Sequence, residues 1–396
     1  MRSVKPLILV TTACLWVASV LSGCKSASPL EKPKVDNTAE LKTPESIRYT
    51  AESRFIAGMK QSEQNEFSPL EATPEWQKYA ETFEGSWKEV EENSLKPMRQ
   101  WAGTELAQAN SAREDVLYPF SGPDFLTVYT MFPKGKTFTL MGLEPTGDIP
   151  DLLKLKDKAR GTYLDSAFSS LHNLILQTYF ITKEMGTSLH NSSITGTAPI
   201  ILVFMARTHN RILGLSHVAV DADGKLVDVT EEDALKDEVL KKSRGIRIRF
   251  LPEGETDART LYYFHVNLED SKLNDNPGFK KYLANLGDVT TYLKSASYLM
   301  HFKEFSVIRD VCLQHSRYLL QDDSGIAFHY FDPKVWQIEL YGEYTHPIRE
   351  FRGYYEKDLA DAYKASKAKP LPFKLGYNTR PGGVNLLVGS KRPRHS

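Results

Sequence analysis

Apolar side chains recur at three-to-four spacing through residues 74–106. Trp76, Tyr79, Ala80, Phe83, Trp87 and Val90 form one run, and Leu95, Met98, Trp101 and Leu106 continue it past a break near Pro97. Such spacing lines one face of a helix. Residues 44–110 are therefore predicted to be helical. Beyond Val116 the texture changes. Val116-Leu-Tyr-Pro-Phe120, Phe125–Phe132 and Lys136–Leu143 are short, aromatic and β-branched, and are separated by Gly-Pro and Pro-Lys-Gly-Lys turns. They read as a strand followed by a hairpin. Thr162-Tyr-Leu-Asp165 has capping-box spacing, with Leu164, Phe168, Leu171, Ile175 and Tyr179 on one helical face. The apolar run Ala198–Ala206 is too short to span a bilayer, and reads as a buried strand or a helix capped at Thr197.

Two hairpins follow. Ser216–Val220 and Lys225–Thr230 flank Asp221-Ala-Asp-Gly224. In residues 245–268, Ile246, Ile248 and Phe250 alternate with arginines, and Tyr262, Phe264, Val266 and Leu268 alternate with Tyr263, His265 and Asn267. Helices are expected at 278–286, 303–315 and 354–365, with short strands around 317–321, 326–331 and 337–344. No internal repeat is present. Helices, then hairpins, then helices mixed with strands point to an α+β fold with antiparallel strands rather than a doubly wound sheet. We assign residues 44–390 to a single large domain, helical over 44–110 and mixed over 116–390.

The amino terminus changes the picture more than any internal motif. Arg2 and Lys5 precede an apolar stretch from Pro6 to Val20, and Leu21-Ser-Gly-Cys24 closes it. This segment resembles a bacterial lipoprotein signal with its lipobox. The resemblance implies removal of residues 1–23 and acylation of Cys24, so that the partner of the mature amino terminus is a membrane. Lys25 in place of aspartate implies, by the same resemblance, the outer membrane, facing the periplasm. Residues 24–43 are rich in Lys, Glu, Pro and Ser and are expected to form a flexible tether. The end, residues 391–396, is basic and expected to fray. Tyr118–Asp124, Gly142–Pro145, Ser295–His301 and Gln321–Gly325 resemble segments of a group of exported bacterial proteins of unassigned function. That resemblance implies a shared fold and no activity.

The 50 Lys+Arg and 50 Asp+Glu residues balance, which gives no electrostatic case for nucleic acid. With Cys14 lost and Cys24 acylated, Cys312 is alone. It lies on the stripe Phe305, Ile308, Cys312, His315 and is expected to be a buried, inert thiol.

Candidate chemistry is sparse. No Gly-x-Ser-x-Gly, His-Glu-x-x-His, Cys-x-x-Cys, phosphate-loop or dinucleotide glycine pattern occurs, and no cofactor or metal is expected. In Asp221-Ala-Asp-Gly224 the glycine falls at position four of an EF-hand loop instead of six. Ser121 and Asp124 lie in a tight loop after the first strand, and Glu144 ends a neighbouring strand. Two carboxyls with separated pKa values can share acid and base work. His301, near Asp322 and Asp323, has the donors of an acid–base or metal site but no metal-framework spacing. Two functions lead, with metal or small-molecule capture behind them. One is a lipid-anchored envelope protein that binds partners such as envelope proteins or glycans, or serves a structural or assembly role. The other is a hydrolase of an envelope polymer or small ester, using Ser121, Asp124, Glu144 or His301.

Overall fold

Residues 35–112, 115–177, 194–347, 353–376 and 382–393 are described by a computed structural model. The signal segment, Cys24 and the tether up to residue 34 lie outside these residues, as do 394–396 of the basic tail. Ten strands among the described residues form one mixed sheet, in the order β4-β3-β5-β6-β2-β1-β7-β8-β10-β9. The strands are β1 (Asp115–Tyr118), β2 (Thr137–Gly142), β3 (Asn210–Val220), β4 (Leu226–Asp228), β5 (Gly245–Pro252), β6 (Arg259–His265), β7 (Val289–Leu293), β8 (Ser316–Gln321), β9 (Trp336–Gly342) and β10 (Asn385–Lys391).

The α+β class holds, and the outer strands are antiparallel: β3 pairs with β4 and β5, β5 with β6, and β10 with β8 and β9. Asp221 turns the first hairpin, its Oδ1 accepting from the amides of Asp223 and Lys225 at 2.9 and 2.8 Å. The five central strands, β6-β2-β1-β7-β8, are parallel throughout. Their side chains alternate between two cores. Val116, Tyr118, Phe138, Leu140, Tyr292 and Leu320 face one, and Leu117, Met141, Val289, Leu293 and Leu319 face the other. Strands covered on both faces read as continuous apolar runs.

That double burial explains where the expected elements were wrong. Phe125–Phe132, read as the first strand of a hairpin with Lys136–Leu143, is a helix (Phe125–Met131), and it is the crossover through which β2 pairs parallel with β1. Every residue of it except Tyr129 is buried, so apolar periodicity could not tell helix from strand. β7 and β10 had no counterpart among the expectations. Phe328–Tyr330, within an expected strand, forms a 3₁₀ turn. The apolar run Ala198–Arg207 is a helix, buried along its whole length. The capping-box Thr162 lies inside a helix that begins at Asp157, its hydroxyl donating to the Lys158 carbonyl at 3.0 Å.

Both ends are more ordered than expected. Residues 37–43, assigned to the tether, are docked on the sheet: the Asn37 amide donates to the Thr256 carbonyl at 2.8 Å, and Arg249 pairs with Glu40. Thr43 then caps the helix Pro44–Ile56. At the other end Lys391 belongs to β10 and the Arg392 amide bonds the Val335 carbonyl at 2.9 Å. Cys312 is buried in the helix Ser306–His315, and burial pushes its thiol pKa up.

One core carboxyl makes the fold sensitive to pH. Glu52, on the helix Pro44–Ile56, is 6% exposed, and its Oε2 has no partner among the described residues. Burial raises its pKa to about 7, Arg48 opposing and Asp151 adding to the rise. A carboxyl raised in the folded state stabilises below its unfolded value near 4.5 and loses that contribution as pH climbs through the folded value. Glu52→Gln is therefore expected to melt with the parent at pH 5 and several degrees above it at pH 8. Equal melting at both values would show that Glu52 carries no burial penalty.

Candidate functional site

Because β6, β2, β1, β7 and β8 run the same way, their carboxyl ends share one edge of the sheet. The residues that follow them are Val266, Leu143-Glu144, Pro119–Asp124, Lys294-Ser295 and Asp322. After β1 the chain crosses to one face through the helix Phe125–Met131. After β7 it crosses to the other through Ser306–His315, whose Ile308, Val311 and Cys312 belong to the opposite core. The connections thus part between β1 and β7. In open sheets with parallel strands, ligands bind in the crevice that such a divergence leaves.

A buried ion pair closes the floor of this crevice. Lys294 Nζ donates to Asp124 Oδ2 at 2.6 Å, with side-chain exposures of 2% and 1%. Asp124 is also the cap of the crossover helix, its Oδ1 accepting the Thr127 amide at 3.1 Å. Its Oδ2 receives Tyr118 Oη at 3.1 Å and Thr127 Oγ1 at 2.5 Å, and Lys294 reaches Thr127 Oγ1 at 3.2 Å. Asp322, at the end of β8, is fully buried. Burial raises its pKa to about 6 against the Ser324 hydrogen bonds and the Lys294 charge. The Tyr118 and Tyr292 hydroxyls are held well above their usual value, first by burial and then by Asp124.

Glu144 forms the opposite wall. Burial raises its carboxyl pKa, although the Tyr263 hydroxyl donates to Oε2 at 3.2 Å. The same hydroxyl donates to the Glu144 carbonyl at 2.9 Å, and His265 Nδ1 lies 3.0 Å from that carbonyl. Burial lowers the His265 pKa. Gly142 leaves room for this contact: a Cβ on it would stand 2.5 Å from Glu144 Oε2 and 2.8 Å from Tyr263 Oη, so those side-chain ends would have to shift.

Between the walls lies a cell of about 10 Å³, the room of roughly one water, lined by Tyr118, Ser121, Asp124, Glu144, Lys294 and Ser295 among others. It adjoins an outer pocket of about 170 Å³ that is mostly apolar, and the two share Phe120, Gly122, Glu144 and Ala296.

Of the sequence candidates, Ser121, Asp124 and Glu144 meet around this cell. Asp322 does not line it, though its charge adds to the rise of the Tyr118 and Tyr292 hydroxyls. His301 stands apart, 3.8 Å from Glu356. Burial lowers its ring to about 4 and raises Glu356 to about 7. Ser121 is committed to the backbone: Oγ lies 2.9 and 3.2 Å from the Gly122 and Met141 carbonyls and accepts the Met141 amide at 3.0 Å. It prolongs the β1–β2 pairing beyond Tyr118, and its hydroxyl proton is directed to backbone carbonyls instead of to a general base. Lys294 and Ser295 were missed. Their signal is a cation placed directly after Val289-Thr-Thr-Tyr-Leu293, a strand with no exposed residue. Among the described residues, no group of three or more His, Cys, Asp or Glu is arranged to hold a metal ion.

The chain matches no family model, no curated protein and no solved structure. The geometry of the crevice therefore carries the functional reading.

Proposed function

We propose that the chain is a lipid-anchored protein of the bacterial envelope whose folded domain binds a small ligand in the crevice at the carboxyl ends of its parallel strands. One observation carries the binding role. Asp124, Glu144 and Lys294 come from the ends of three separate strands and face one cavity, at the point where the connections part to opposite faces of the sheet. Each of the three is costly to desolvate, and their gathering around one opening supports a binding use beyond the cap and tie that Asp124 and Lys294 supply.

The binding reading is preferred over hydrolysis for a chemical reason. With Ser121 bonded to backbone and Asp124 neutralised by Lys294, Glu144 is the one carboxyl of the cell not matched by a cation. A single carboxyl beside a one-water cell lacks the paired acid and base that general hydrolysis needs.

The anchor reading rests on Leu21-Ser-Gly-Cys24 and its apolar leader. Two or three acyl chains on Cys24, at roughly 0.8 kcal/mol per buried methylene, give stable attachment. Lys25 favours the outer membrane, with the domain on the periplasmic side. Among the described residues no helix is long and apolar enough to cross a membrane.

Cys24→Ala is expected to move the protein from the membrane pellet to the soluble fraction; full retention in the pellet would refute the anchor. For the crevice, a crystallographic fragment soak of the full-length protein is expected to place fragments against Phe120, Glu144 and Leu299. Fragments bound only elsewhere would remove this edge of the sheet as the site.

A further inference from the structure

The outer pocket and the cell behind it differ in size and polarity, and together they define the shape of what fits. The outer pocket has walls from Phe120, Leu143, Val266, Leu268, Leu299 and Phe305. Its volume is about 170 Å³, and a cavity of about 150 Å³ lined by such side chains holds one benzene ring. It narrows past Gly122 and Glu144 into the one-water cell. Ser295 is one of the residues around this cell, and its Oγ is buried with no hydrogen-bond partner among the described residues.

Backbone strain marks the same spot. Three non-glycine residues among those described have a left-handed φ: Phe120 (58°), His209 (58°) and Ser295 (61°). Two of the three line the cell, and Phe120 lines the outer pocket as well. Such conformations cost of order 1–2 kcal/mol each and persist where the surroundings enforce them, often at ligand sites.

We infer that the ligand is a small, uncharged carbonyl compound, an amide or ester, carrying one ring-sized apolar group. The apolar group fills the outer pocket, and the carbonyl oxygen takes the place of the water and accepts a hydrogen bond from Ser295 Oγ. This inference rests on the crevice reading and adds the chemical class of its ligand.

Charge selects against the alternatives. The cell is faced by Asp124, Glu144 and Lys294, and the Lys294 ammonium is already matched by Asp124 at 2.6 Å. A carboxylate head group would enter with no unmatched cation to receive it. An ammonium head group would require Glu144 to ionise, which its burial opposes. A neutral carbonyl needs neither change, and a buried hydroxyl gains the partner it lacks.

The test uses one ring with three head groups. Affinities of benzamide, benzoate and benzylamine for the full-length protein in detergent are measured by ligand-observed NMR at pH 7. Benzamide is expected to bind at least tenfold more tightly than the other two. That binding should weaken about tenfold in Ser295→Ala and vanish in Leu299→Trp, which fills the outer pocket; if Leu299→Trp does not fold, Ser295→Ala decides. Tighter binding of benzoate or benzylamine that Leu299→Trp still abolishes would overturn the ligand class and leave the crevice reading standing. No binding of any of the three would also overturn the class, and the fragment soak then judges the crevice by itself.

Discussion

An ion pair between a lysine and an aspartate, sealed from water, fixes the geometry on which everything at this edge of the sheet depends. Lys294 follows β7 and Asp124 follows β1, and the chain leaves those two strands toward opposite faces. The pair ties the two loops, Nζ and Oδ2 meeting at 2.6 Å, and Asp124 also starts the crossover helix, whose Phe125, Leu126, Val128 and Met131 belong to one core. Desolvating two charges is expensive, and a well-packed apolar pair would hold loops together as well or better. Retention of charge here therefore points to a use for the field it creates. Both partners line the one-water cell, and the Asp124 carboxylate raises the Tyr118 and Tyr292 hydroxyl pKa values further than burial alone.

How much of this could be read from the chain depends on burial. Elements with one wet face were legible. The β5–β6 hairpin shows its alternation in Ile246, Ile248 and Phe250, and the helix Pro74–Val90 shows its stripe. Elements buried on both faces were not. Phe125–Met131 and Val289–Leu293 carry no periodicity because both of their faces are apolar environments, and the parallel centre of the sheet was missed with them. The site followed the same rule. Ser121, Asp124 and Glu144 stood out because turn residues flank them. Lys294 did not, because its importance lies in a pairing across 170 residues of sequence. Ser121 was a candidate by its loop and proves to be a backbone partner, a distinction that only the Met141 hydrogen bonds reveal.

The two parts of the functional reading come from different physics and stand separately. The anchor is a covalent proposal read from the amino-terminal segment, and it concerns where the domain works. The crevice is a consequence of parallel strands and diverging connections, and it concerns what the domain does.

The claim that the ion pair organises the site is open to a double-mutant cycle. Lys294→Met, Asp124→Asn and the double variant are unfolded in urea, Asn being chosen because its side-chain oxygen can still cap Thr127. Each single change should cost about 3–5 kcal/mol, because it strands a buried charge. The double variant should be no less stable than the weaker single one, which gives a coupling of at least about 3 kcal/mol. Single losses below about 1 kcal/mol, or losses that simply add, would contradict the account.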